Sequence, residues 1–270
     1  MTHAECSRPS RRQRVRTLWI SDVHLGTRGC QAEHLSGFLR RYQADRLYLV
    51  GDIIDGWKLR GGIYWPQSHT NVIRRLLNMS KRGTEVIYVT GNHGEFLRRY
   101  SRLMLGNLRL VDEAEHLTAD GRRLLVIHGD QFDVITRYHR WLAWLGDRAY
   151  TLSLTLNRWL NHWRARHGHG YWSLSAYLKH KVKGAVSFIS DFEHAIAHEC
   201  LRRGFQGVVC GHIHHAEIRQ LGGVEYFNCG DWVESCTALI EHWDGSIELY
   251  RLTDAQARPL GPVALAREPA

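Results

Sequence analysis

The chain has 270 residues, 44% of them hydrophobic, which suits one α/β domain carrying an insertion and excludes a disordered or collagen-like chain. No stretch of about 18 uninterrupted apolar residues is present, so no transmembrane helix is expected. The net charge of +9 favours anionic partners, whether nucleic acid, an acidic membrane face or a phosphate-bearing substrate, without choosing among them.

Residues 1–14 are polar and basic and read as a flexible tail, with no apolar core of a signal peptide. Val15 to Ile20 is an apolar run that predicts a buried strand. Gln31 to Arg41 has helical spacing, and Arg46 to Asp52 predicts a second strand. Asn71 to Arg82 predicts a helix stopped by Gly83. Glu85 to His93 is a third strand, Phe96 to Leu105 a short helix, and Arg122 to Asp130 a fourth strand. From residue 132 to about 203 strand signals vanish, and helical spacing carries Trp141, Trp144, Trp159, Trp163 and Trp172. Strands return at Gly207 to His212, Val224 to Asp231, Thr237 to Trp243 and Ser246 to Leu252, and residues 254–270 read as a loose tail. The expected organisation is therefore an α/β core, residues 15–131 and 204–253, interrupted by a helical insertion over 132–203.

Cys6, Cys30, Cys200, Cys210, Cys229 and Cys236 form no C-x-x-C pair and no dense framework. Several lie in apolar contexts where Cys acts as a small hydrophobe, so reduced thiols in a cytosolic compartment are expected.

Five apolar strands each run into a polar motif: Asp22-Val23-His24, Gly51-Asp52, Gly91-Asn92-His93, His128-Gly129-Asp130 and Gly211-His212-Ile213-His214. Ligands of layered α/β folds bind outside the carboxyl ends of the strands, where these motifs fall. Imidazole and carboxylate together suit manganese, iron or zinc rather than a soft thiolate site. The ligand count is enough for two divalent ions if one carboxylate bridges, an arrangement suited to in-line displacement at phosphorus. Outside these motifs, His116, His139, His180 and His242 read as surface or satisfied histidines. Asp55 reads as an orienting group behind the ligands, Asp130 as a helix cap slightly ahead of an orienter of His128, and Asn228 as structural.

In order and content the motifs resemble those of the calcineurin-like metallophosphoesterases: DVH (22–24), GDIID (51–55), GNHGE (91–95), HGD (128–130) and GHIH (211–214). The resemblance runs from about Val15 to Leu252 outside the insertion. It implies a four-layer α/β/β/α sandwich with a helical lid. It also implies that one metal ion takes Asp22, His24, Asp52 and His214, and the other Asp52, Asn92, His128 and His212, with Asp52 bridging. His93 would be the catalytic histidine. The family usually has an acid directly after that histidine, where this chain has Gly94; on the resemblance, His93 loses a partner that fixes its tautomer, unless Glu95 substitutes.

Within the family, the WISDVHLG start, GDIIDGW and the insertion resemble the UDP-2,3-diacylglucosamine pyrophosphatases of lipid A biosynthesis. That implies release of UMP from a nucleotide-linked lipid, commonly with manganese, by a cytoplasmic enzyme peripheral to the inner membrane. The Trp-rich insertion would then offer an apolar groove to acyl chains. Arg98, Arg99, Arg164, Lys179, Lys181 and Lys183 are candidate cations for the diphosphate, and an exposed Trp surface could support a homodimer. Nucleic acid is the less favoured partner, since Trp-rich helices are not by themselves a nucleic-acid groove. Competing readings are another phosphodiesterase or nuclease, a small-molecule phosphatase, and a metal-binding scaffold with impaired catalysis.

Overall fold

The computed structural model describes residues 12–132, 189–190, 192–253 and 256–259. The chain divides into two compact units, Met1–Asp130 with Ala197–Ala270, and Gln131–Ile196. The first contains two β-sheets. β1 (Gln13–Ile20), β2 (Tyr42–Val50), β3 (Glu85–Val89) and β5 (Leu108–Val111) run parallel at the centre of an eight-stranded sheet. β4 (Met104–Leu105) closes one end of it. β11 (Thr237–Glu241), β12 (Ile247–Thr253) and β13 (Gln256–Pro259) extend the other. The second sheet has the order β6 (Ala114–Leu117), β7 (Arg123–Val126), β8 (Gly207–Cys210), β10 (Val224–Asn228) and β9 (Glu217–Leu221), with β7, β8 and β10 parallel.

The central strands are buried on both faces, which is why they read as continuous apolar runs rather than alternating ones. Successive side chains point to opposite faces of a strand. Leu18, Ile20, Leu47 and Leu49 therefore join a core with Leu35 and Phe38 of α1 (Ala32–Arg41) and Val72 and Leu76 of α3 (Gln67–Lys81). Trp19, Tyr48, Val50, Ile87 and Val89 face the other way, onto Leu124 and Val126 of β7, Val209 of β8 and Phe227 of β10. The two sheets thus pack face to face, with helices on the outer side of the first.

One polar cluster crosses between the sheets. His116 on β6 and Glu241 on β11 are both fully buried, with His116 Nε2 3.0 Å from Glu241 Oε2. Tyr48 Oη lies 3.1 Å from His116 Nδ1, Thr17 Oγ1 donates to Glu241 at 2.6 Å, and Arg16 pairs with Glu241 at 2.5 Å. His116 is therefore a satisfied interior histidine and not a surface one.

The strands stop earlier than the sequence predicts, at Val50, Val89, Val126 and Asn228, leaving each polar motif in the turn beyond. The helix expected over Phe96 to Leu105 is instead a 3-10 turn, Glu95–Tyr100, followed by β4. Arg102 takes a left-handed φ of 88° and gives its N–H to Leu110 O, which turns the chain into the sheet. α3 starts at Gln67, behind Pro66, rather than at Asn71. The sequence gives no signal for β5, β6 and β9, because each is short, partly exposed and mixes polar with apolar residues, without the continuous apolar run that marks β3, β7 and β8. β1 begins inside the stretch read as a tail, and β13 pairs with β12 inside the stretch read as loose. A further helix spans 192–202. The tryptophans of the insertion lie outside the described residues. No helix among the described residues is long and apolar enough to cross a membrane.

Candidate metal centre

The carboxyl ends of β1, β2, β3, β7 and β8 carry the five motifs, and the turns that follow bring their side chains together. Seven non-glycine residues among those described have positive φ, and five of them are Asp22, His24, Asp52, His212 and His214. Such backbone is uncommon for residues with a Cβ and persists where surrounding structure enforces it, often at functional sites. The packing leaves little choice. Gly51 precedes Asp52 at φ 72°, and a Cβ there would run into the His128 ring. At Gly211 a Cβ would lie 2.5 Å from Asp22 Oδ2.

Asp22 lies at the middle of the cluster and is fully buried. Its Oδ1 is 3.2 Å from His214 Nε2, 3.5 Å from His128 Nε2 and 3.8 Å from His24 Nε2, while Oδ2 accepts the His212 N–H at 2.8 Å. Asp52 Oδ2 is 3.7 Å from His128 Nε2 and 4.0 Å from His93 Nε2, and its Oδ1 accepts the His93 N–H at 2.9 Å. Three sets of side chains offer ligand atoms all within 4.8 Å of one another: Asp22, His24 and His214; His24, Asp52 and His93; and Asp22, Asp52 and His128. His128 thus touches both carboxylates. The His212 ring stands edge-on to His128 at 5.0 Å between centroids. Asn92 places its Oδ1 in a buried position with no hydrogen-bond partner.

The electrostatics follow from burial opposed by pairing. Burial alone would raise the Asp22 carboxyl, but bonds from His128, His214 and His24 hold it well below its usual range. Burial would lower His24, yet Asp22 and Asp55 push it up to about 9. His128 and His214 are raised in the same way, His128 by Asp52, Asp130 and Asp22, and His214 by Asp22. The site therefore gathers positive charge among buried carboxylates, and divalent cations would compete with those protons.

Behind the cluster stand orienting carboxylates. Asp55 caps the N-terminus of α2 (Gly56–Gly61), its Oδ1 accepting from Lys58 N–H at 2.9 Å. Its Oδ2 is 3.0 Å from His93 Nδ1 and 3.3 Å from His24 Nδ1. The carboxylate expected after His93 is thus supplied from another segment, and Gly94 does not leave the imidazole without a partner. Glu95 is exposed and, among the described residues, makes no ion pair with His93. Trp57, missed by sequence reasoning, lies over the same imidazole, 4.1 Å between centroids and 33° between planes. Asp130 lies 3.3 Å from His128 Nδ1 and pairs with Arg98 at 2.5 Å, so it orients His128 rather than serving mainly as a cap. Arg98 is thereby tied to a carboxylate, whereas Arg99 is exposed. Asn228 is structural, donating to Gly211 O at 3.0 Å and accepting from Gly230 N–H at 2.9 Å. Arg164, Lys179, Lys181 and Lys183 lie outside the described residues.

The family model for calcineurin-like phosphoesterases matches residues 15–216. A UDP-2,3-diacylglucosamine hydrolase of Neisseria meningitidis serogroup B is 26% identical over 238 residues, 85% of this chain and 95% of that protein. One of Chromohalobacter salexigens is 34% identical over 119 residues, 42% of this chain and 46% of that protein. Among solved structures, vacuolar protein sorting 29 of Cryptosporidium parvum superposes with a TM-score of 0.47 at 11% identity, covering 90% of this chain and 94% of that one.

Proposed function

We propose that this chain, which belongs to the calcineurin-like phosphoesterase family, hydrolyses the phosphoanhydride of UDP-2,3-diacylglucosamine to UMP and 2,3-diacylglucosamine 1-phosphate. The observation that carries the hydrolytic reading is the convergence of three histidines, His24, His128 and His214, on Asp22 and Asp52 at the strand ends, with His93 at the edge of the group. The substrate rests on the relatives named UDP-2,3-diacylglucosamine hydrolase.

The donor set of imidazole, carboxylate and amide oxygen fits two divalent ions, manganese, iron or zinc, and manganese is tried first because the resemblance to the UDP-2,3-diacylglucosamine pyrophosphatases implies it. Asp22, His24, Asp52 and His214 would hold one, and Asp52, Asn92, His128 and His212 the other. The unpartnered, buried Asn92 Oδ1 supports this fit, because an orphaned amide oxygen is costly unless something satisfies it. Bound there, such ions supply Lewis acidity toward phosphoryl oxygens and acidify water near neutral pH.

The protein's own groups do the rest. Asp55 Oδ2 stands 3.0 Å from His93 Nδ1, a contact that would favour a proton on Nδ1 and leave Nε2 toward the centre. As water attacks one phosphorus in line, the bridging P–O bond breaks, His93 acting as imidazolium gives its Nε2 proton to the leaving oxygen, and the proton that the attacking water sheds restores the imidazolium through solvent. Asp130 and Asp55 hold the outer nitrogens of His128 and His24, which keeps their Nε2 atoms inward. The enzyme would act in the cytoplasm, at the anionic face of the inner membrane, where its substrate resides.

The test is manganese-dependent release of UMP from UDP-2,3-diacylglucosamine beside a plain phosphodiester. Fast release with little turnover of the plain ester supports the reading. Turnover of the plain ester alone would replace it with a general phosphodiesterase.

A further inference from the structure

The stretch that follows the 3-10 turn after His93 is unlike the rest of the described surface. Tyr100, Leu103, Met104 and Leu105 are 59%, 44%, 69% and 60% exposed, four large apolar side chains within six residues. Arg99 and Arg102, also exposed, are interleaved with them. Scattered single apolar residues on a surface need no explanation, but a contiguous group does.

The group is held in place. Met104 and Leu105 form β4, joined to β5 through Gly106 and Asn107, with Gly106 at φ 60° as a tight hairpin requires. Asn107 Nδ2 donates to Ser80 O at 3.1 Å, and Val86 N–H donates to Asn107 O at 2.8 Å. That bond sets the hairpin beside the end of α3, where Lys81 and Arg82 are exposed and Leu77 is 53% exposed. The carboxylate nearest by sequence register, Glu85, is already taken by Arg46 at 3.0 Å and Arg109 at 3.2 Å. Lys81, Arg82, Arg99 and Arg102 make no ion pair among the described residues.

We propose that the β4–β5 hairpin docks this protein onto an anionic lipid bilayer. Leu103, Met104 and Leu105 enter the headgroup region, and Arg99, Arg102, Lys81 and Arg82 meet lipid phosphates around them. An apolar tip with a basic collar is what an acidic interface selects, since the apolar atoms leave water while the cations stay at headgroup level. The chain's net charge of +9 adds to the attraction. A second copy fits the surface less well, because a two-residue end strand offers almost no ladder to extend and the collar repels its own image. The hairpin turn lies at the start of β5, level with the start of β3, whereas the metal centre lies beyond the carboxyl ends of the strands, so docking there tethers the protein to the bilayer without covering the centre.

The membrane part of the proposed function is the only premise shared here, and the test needs no substrate. Full-length protein is sedimented with vesicles of equal parts phosphatidylglycerol and phosphatidylcholine, and with phosphatidylcholine alone. Binding to the acidic vesicles is expected, weakened by salt. Met104→Ser with Leu105→Ser, and separately Arg102→Glu, should each weaken it about tenfold, with the folding transition and turnover of a small soluble diester unchanged. Unaltered binding by these variants would overturn the proposal. So would equal binding to neutral vesicles, or a dimer in solution that the same substitutions dissolve. Vesicle binding that these variants lose, in a protein that never releases UMP, would leave the docking surface standing and remove the substrate assignment instead.

Discussion

Asp55 holds two histidines with one oxygen: its Oδ2 lies 3.0 Å from Nδ1 of His93 and 3.3 Å from Nδ1 of His24. The carboxyl is half of a cap and half of an active-site device, because Oδ1 takes the Lys58 N–H at the start of α2. Burial opposes its charge, but the bonds from His24 and His93 and the Lys58 N–H hold it ionised far below the usual carboxylate range. One residue thereby couples a candidate metal ligand to the candidate proton donor.

Asp55→Asn should therefore lower kcat about 10- to 100-fold, the usual cost of losing a carboxylate behind a ligand histidine. The fold should survive, since Asn also caps helices well. Gly94→Asp is the companion variant. A Cβ at Gly94 meets its nearest neighbours at 3.7 Å, so an acid fits there without clash. If Gly94 were a disabling change, Gly94→Asp would raise activity by orders of magnitude. The geometry predicts a gain of less than about tenfold, because Asp55 already occupies the role. Steady-state turnover of a chromogenic diester decides between the two, and a large rescue by Gly94→Asp would overturn the assignment to Asp55.

Trp57 covers the face of the same imidazole and limits its rotation. Trp57→Phe preserves a stacking face and should keep most activity. Trp57→Ala should cut kcat about tenfold, a modest penalty for a loosened proton donor, with KM and metal content little changed. Equal losses in both variants, or a fall in bound metal, would assign Trp57 to structure alone. His93→Gln anchors the series: if it retains full activity, the role of His93 itself is wrong.

Metal content tests the ligand set directly. Asn92→Ala removes an oxygen that has no hydrogen bond to lose, so folding should be unaffected while divalent affinity falls. Asp52→Ala should remove both ions, since it is the carboxylate proposed to bridge. Elemental analysis and calorimetric titration of the dialysed variants read both effects. Two tightly held ions in Asp52→Ala would contradict bridging by that residue, and would shift attention to Asp22, which contacts three imidazoles.

Much of this centre was legible in the sequence because each motif follows an apolar strand, and strand ends of parallel sheets converge. Ligand atoms of Asp22, His24, Asp52, His93, His128 and His214 come close together among the described residues, whereas those of His212, also expected as a ligand, are in none of these groups. The partner of His93 was not legible. Asp55 sits 38 positions earlier, and nothing in GDIIDGW says that the turn after β2 folds back onto the turn after β3. Trp57 was hidden for the same reason, since a lone tryptophan at the start of a one-and-a-half-turn helix has no periodicity to read. Short strands such as β4 and β6 escaped too, and with them the exposed hairpin and the buried His116, whose partner Glu241 lies 125 residues away.

That buried pair sets a limit on acid stability. His116 is held below its ordinary value of about 6.5, first by burial, although Glu241 pulls the other way. Neutral imidazole is the folded form, with Tyr48 donating to Nδ1 and Nε2–H directed at Glu241. As pH falls below about 6.5, the unfolded chain takes up a proton that the folded state refuses, so stability declines from there. Glu241 is also held low: burial would raise it, but His116 and Thr17 stabilise the carboxylate. Its contribution is present above the ordinary glutamate value and is lost as pH falls through the lower folded value, extending the decline further into acid. His116→Gln should flatten the slope of the thermal midpoint against pH in the first window. Glu241→Ala should cost about 3–5 kcal/mol at neutral pH by leaving Arg16 without its buried partner, an effect large enough to read as a shift of several degrees. An unchanged pH slope in His116→Gln would mean that the acid limb arises elsewhere in the chain.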